Sequence, residues 1–243
     1  VVTATTGAAG TGITAGACTV ALANTRIECT GGAGVGTAQK WIVTVGTQAS
    51  AASAATTAYV APAISGLTGN VNMATGSTGV VTVTGTNFGP TSANPVTATY
   101  NGTVYTATSC SVTVANTGME CTSIVGIGAT HKWIVTVGGQ ASAQSTATTS
   151  YVAPAITGIT GATSMLTAGS ESVTLTGTNF GPTSGNPIQG TYAAGVYTAT
   201  GCSVTSAHTQ ITCTSVAGVG SSQSWVVWVG GQFSAASTAL TSY

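Results

Sequence analysis

The chain repeats itself every 92 residues. Tyr59-Val60-Ala61-Pro62-Ala63-Ile64 returns as Tyr151-Val152-Ala153-Pro154-Ala155-Ile156, and Gly85-Thr86-Asn87-Phe88-Gly89-Pro90 as Gly177-Thr178-Asn179-Phe180-Gly181-Pro182. Trp41, Trp133 and Trp225 keep the same spacing, as do Cys18, Cys110 and Cys202, and Cys29, Cys121 and Cys213. Self-similarity at a fixed period means one structural unit used several times. The period divides the chain into two full units, 60–151 and 152–243, preceded by a partial unit, 1–59. The partial unit has no counterpart of 60–92, so it is expected to lack the first strands.

Each unit reads as short strands between Gly, Pro and Asn turns. In the middle unit strands are expected at Val80 to Thr84, Val96 to Tyr100, Val104 to Ala107, Cys110 to Val114, Met119 to Ser123, Lys132 to Val137 and Thr148 to Val152. No stretch sustains a 3.6-residue period, so helix is not expected. About seven strands in so short a unit predict an antiparallel sandwich, all-β in class. Trp133, Val135 and Val137 alternate with Ile134 and Thr136, and the first set is expected to face the core.

The unit resembles the IPT/TIG family of immunoglobulin-like domains. The resemblance rests on the opening Pro154 to Ile159, the strand ending in Gly177 to Gly181, the cysteine pair, and the closing strand with Val229-Gly230-Gly231. It covers the two full units and the second half of the first. It implies tandem immunoglobulin-like β-sandwiches of the kind found in surface receptors, adhesins, some carbohydrate-active enzymes and transcription factors. Such a fold leaves function open.

The six cysteines form three local pairs, each with ten intervening residues that read as strand, turn and strand. This spacing suits a bridge across a hairpin and predicts Cys18–Cys29, Cys110–Cys121 and Cys202–Cys213. Zinc is the weaker alternative, because a site needs four ligands at close spacing and only His131 and His208 could supplement the cysteines. Disulfides imply an oxidising compartment, hence secretion or the cell surface.

Charge is nearly absent. Arg26, Glu28, Lys40, Glu120, Lys132 and Glu171 are the whole complement, whereas ordinary domains are roughly a quarter charged. Soluble proteins protect sheet edges with such groups. The surface here must instead be hydroxyl-rich, sugar-coated or covered in an assembly. Three cations cannot build a phosphate-binding face, so nucleic acid is not an expected partner. The longest apolar runs, such as Trp225 to Val229, fall far short of the ~20 residues of a membrane-spanning helix. With three Glu, two His and no Asp, neither acid–base catalysis nor a carboxylate calcium site is expected. No catalytic residue, cofactor or metal is therefore assigned. His131 and His208 fall in predicted turns and are expected to be solvated. Glu28 and Lys40 recur as Glu120 and Lys132 and are lost together to Thr212 and Ser224, which predicts a cross-strand ion pair.

The third unit departs from the others in aromatics. Thr44 and Thr136 become Trp228, and Ala49 and Ala141 become Phe233. Trp228 lies on the strand face opposite Trp225, so Trp228 and Phe233 are expected to form an exposed contact surface. Asn101-Gly102-Thr103 is an N-glycosylation sequon in a turn, so a covalent glycan is expected at Asn101. Outward Thr and Ser offer O-linked sites as well.

Between units there is no linker, and Pro62 and Pro154 stiffen the passage from one sandwich to the next. The expected function is that of an extracellular structural protein, a rigid rod forming or decorating a filament or surface stalk, with further repeats or copies of itself as partners. The alternative is a binding module: an adhesin, a receptor ectodomain, or a carbohydrate-binding spacer of a surface enzyme. The partial unit at 1–59 has two explanations, a piece of a longer polymer or strands donated by a neighbouring chain.

Overall fold

The computed structural model describes residues 1–8, 12–76, 78–92 and 95–243. The described residues are all-β and contain no helix, so none is long and apolar enough to cross a membrane. In the second repeat, strands Thr108–Val114, Gly118–Thr122, Val80–Thr86 and Ala63–Gly69 pair in that order as one antiparallel sheet. The facing sheet runs Tyr105–Thr106, Val96–Tyr100, His131–Val137, and the last of these also pairs with Gln140–Ala141 and Thr148–Tyr151. The third repeat uses the same order: Thr200–Ser206, Gln210–Thr214, Ser172–Thr178 and Ala155–Gly161 against Tyr197–Thr198, Ile188–Tyr192, Gln223–Val229 and Gln232–Phe233. With the two-residue strands left out, the second repeat puts its first, second, fifth and fourth strands in one sheet and its third, sixth and seventh in the other, the division of the immunoglobulin sandwich. The tandem immunoglobulin-like fold expected from the sequence is the fold observed.

The core follows from strand alternation. Trp133, Val135 and Val137 are buried, and the Trp133 ring stacks on Tyr100 with centroids 4.5 Å apart. A buried indole N–H needs an acceptor, and Trp133 Nε1 donates to Thr149 Oγ1 at 2.9 Å. The same bond recurs at Trp225 and Thr241, and at Trp41 and Thr57. The strand Thr148–Tyr151 reaches only His131 and Lys132. Beyond it, Ser145 and Ser142 hydroxyls accept the main-chain N–H groups of Trp133 and Val135. These serines recur every 92 residues because each satisfies a donor that has no strand beside it.

The Gly-Thr-Asn-Phe-Gly motif closes the other sheet. Asn87 has φ +62° and its amide donates to Ala61 O at 3.1 Å, tying the turn to the entering chain. Phe88 is fully buried. Gly85 is required by a close approach: a Cβ there would lie 2.0 Å from Ala63 O. Asn179, Phe180 and Gly177 repeat the arrangement.

Each repeat carries one disulfide, Cys18–Cys29, Cys110–Cys121 and Cys202–Cys213, with Cα atoms 4.1 Å apart. In the second and third repeats the bridge joins a strand to its neighbour and turns into the core, where Cys121 and Cys213 are buried. In the first repeat Ile27, Trp41 and Val43 are partly exposed, whereas Met119, Trp133 and Val135 in the same positions of the second are buried.

Two expectations are corrected. The Glu120–Lys132 pair does not form. Glu120 lies opposite Thr82 and Ser111 in one sheet, Lys132 lies in the other, and each points away from the core between them. Among the described residues the ion pair is Arg26–Glu28, at 2.9 Å and largely exposed. Joint loss of two charges reveals no distance when the charges sit on opposite faces. The histidines are not solvated either. His131 opens a strand and is 3 % exposed, and His208 is partly buried against the preceding repeat.

Candidate functional site

The repeats meet through a small apolar knob. Ile127 belongs to the second repeat by sequence but packs in the third repeat's core, and it is 8 % exposed. It rests on the Gly230-Gly231 turn, where both residues have positive φ, as a two-residue hairpin of this twist requires. A Cβ on Gly230 would lie 2.8 Å from Ile127 Cδ1. One repeat upstream, Val35 packs on the second repeat's core and Gly138 takes the place of Gly230, its absent Cβ 2.7 Å from Val35 Cγ2. A glutamine completes each joint: Gln140 Nε2 donates to Tyr59 O at 3.0 Å, and Gln232 Nε2 to Tyr151 O at 2.9 Å. At the second joint His208 Nδ1 also lies 3.0 Å from Thr75 Oγ1.

Tyrosines hold the knob loop of the second repeat. Tyr105 Oη accepts from Ile127 N and donates to Ile127 O, both at 3.1 Å. Tyr100 Oη accepts from Ile124 N at 3.1 Å, lies 3.0 Å from Tyr151 Oη, and Tyr151 Oη donates to Ile124 O. Burial, and then the bond with Tyr100, pushes the Tyr151 hydroxyl far above the ordinary tyrosine range. Burial likewise raises Tyr100. Tyr192, Tyr197 and Tyr243 brace Val216 and Val219 in the same way, leaving Val219 68 % exposed at the end of the third repeat.

His131 is part of this brace. Its Nε2–H donates to Ile127 O at 3.1 Å, where Gln39 and Gln223 reach Val35 O and Val219 O in the other repeats. With Nε2 so engaged, Nδ1 is a buried nitrogen with no partner among the described residues. Tyr100, Tyr105 and Tyr151 surround the ring. Burial holds its pKa below the usual histidine range, against the opposing effect of the backbone at Ile127 and Gly128.

Beside the second joint lies a groove of about 300 Å3, lined by both repeats. Asn101, Tyr105 and His131 contribute from the second, and Pro187, Trp228 and Gly230 from the third. Trp228 is partly exposed on the outer face of its strand and stands directly opposite Phe233, which is 67 % exposed. The structure thus puts Asn101 and Trp228, singled out separately in the sequence, in one groove. Among the described residues no three His, Cys, Asp or Glu cluster as metal ligands. The knob, its glycine and the glutamine were missed in the sequence, although Val-Gly-Gly-Gln at 137–140 and 229–232 was their signal.

No family model matches the chain, and no curated protein matches it. Similar solved structures include the surface glycan-binding protein PbSGBP-B of Prevotella bryantii, at 15 % identity, TM-score 0.45, over 65 % of this chain and 35 % of that one. They also include the adhesin InvE of Yersinia pseudotuberculosis, at 14 % identity, TM-score 0.38, over 69 % of this chain and 56 % of that one. The plexin A4 extracellular region overlaps at 14 % identity and TM-score 0.34, over 91 % of this chain and 20 % of that one. This chain therefore spans about a third of the length of the glycan-binding structure.

Proposed function

We propose that this chain is a segment of an extracellular rod, built from IPT/TIG-type repeats, that forms or decorates a filament or surface stalk. The observation that carries this reading is the joint itself, made twice from the same positions: Val35 on Gly138 with Gln140 bonded to Tyr59, and Ile127 on Gly230 with Gln232 bonded to Tyr151. Flexible linkers carry no such conserved geometry from joint to joint. A joint that buries an apolar side chain and ends in a fixed proline holds successive sandwiches at one angle. Repetition of one angle generates an extended, open-ended array.

Three disulfides support a location in an oxidising compartment, outside the cell or on its surface. The near absence of charge fits a surface covered by covalent sugar or by neighbours in an assembly. The role is structural, without catalysis, metal or cofactor, and the partners are further repeats or copies of the same chain. Electron microscopy of native material tests the reading. Straight strings of beads at a constant spacing are expected; dispersed particles with no common axis would overturn it.

A further inference from the structure

The groove beside the second joint carries an inference that rests on the extracellular reading and goes beyond it. We propose that an N-linked glycan on Asn101 crosses from the second repeat to the third and packs its first sugar rings on Trp228, locking that joint.

The attachment point is available. Asn101 is exposed in a turn, and its sequon is completed by Thr103. Transfer requires a lipid-linked oligosaccharide: Asn101 Nδ2 displaces the polyprenyl diphosphate from the anomeric carbon. A C–N bond replaces a C–O bond, and the amide proton leaves with the diphosphate.

The landing surface is in reach. Trp228 lines the same groove as Asn101. The volume, about 300 Å3, is at the lower end of the roughly 300–1,000 Å3 of ligand sites. The floor is bare, because a Cβ added at Gly185 or Gly231 would meet nothing. A pyranose ring laid on an indole buries its C–H face and leaves its hydroxyls in water. Phe233, opposite Trp228, extends the aromatic surface along the sheet.

The two features also occur together and vanish together. At the joint between the first and second repeats the position of Asn101 is Ala9, within Ala9-Gly10-Thr11, and the positions of Trp228 and Phe233 are Thr136 and Ala141. Residues 9–11 lie outside the described structure, so this comparison is one of sequence.

The test uses the full chain purified from its source. Mass spectrometry should find a glycan on Asn101, and nuclear Overhauser contacts should link its innermost sugar to the Trp228 indole. Removal of the glycan by amidase should shift the indole emission to the red. The Trp228→Thr variant, expressed in the same host, should keep the glycan and lose the shift. Threonine stands at this position in the second repeat as Thr136, so the fold accepts it. A bare Asn101 would overturn the proposal while leaving filaments, if seen, as support for the rod. A glycan with no contact to Trp228 and no emission shift would overturn it equally.

Discussion

Gln232 reaches back across the second joint and donates to the main-chain oxygen of Tyr151 at 2.9 Å. Tyr151 ends one sandwich and Gln232 lies just beyond the glycine turn of the next, so this bond ties the two repeats together. It should be separable from the stability of either repeat. Gln232→Ala is expected to cost roughly 0.5–1.5 kcal/mol of coupling between repeats, and Ile127→Ala about 2 kcal/mol, because the knob is nearly buried. Urea unfolding of the full chain should show later repeats melting less cooperatively in both variants.

Gly230 and Gly231 give a controlled comparison. Both have positive φ, but only a Cβ on Gly230 meets Ile127. Gly230→Ala should therefore carry backbone strain plus a clash, together about 2–3 kcal/mol. Gly231→Ala should carry the strain alone, about 1 kcal/mol. Midpoints of thermal unfolding distinguish the two, and equal losses would show that the knob contact is unimportant.

Reduction of the disulfides should destabilise each repeat by roughly 2–3 kcal/mol, since each bridge closes a loop of about a dozen residues. The full repeats should survive it, with Trp133 and Trp225 still buried in complete sandwiches. Hydrogen exchange with and without reductant reads this directly.

His131 predicts a pH dependence. Its folded pKa lies below the unfolded value near 6.5, so the unfolded chain takes up the proton first. The stability due to its neutral form is thus complete above about pH 6.5 and is lost as pH falls through the lower folded value. Nδ1 has no partner among the described residues, and the rings of Tyr100, Tyr105 and Tyr151 face the imidazole. The Ile127 amide should exchange faster at pH 5 than the pH change alone explains. His131→Gln, the residue of the other two repeats, should abolish the excess.

The repeat, the strand set and the core face were legible because they follow from spacing and alternation. Trp133, Val135 and Val137 needed nothing more. The strand Ala63–Gly69 was harder: Gly66 sits in it beside a bulge after Ile64, and both interrupt the alternation. His131 was misread because the loop before it is glycine-rich, while its burial comes from three tyrosines distant in sequence. The joint was invisible for a related reason. A Cβ on Gly230 would lie 2.8 Å from Ile127 Cδ1, yet the two residues are far apart along the chain, and no local pattern marks a contact between successive units.

The rod reading stands or falls on whether the second and third repeats hold one orientation. Residual dipolar couplings of the weakly aligned chain measure this for each repeat separately. A single alignment tensor, shared in magnitude and direction, is expected, and in Gln232→Ala the two should diverge. Tensors of different magnitude in the unaltered chain would mean beads on a flexible string and would contradict the account.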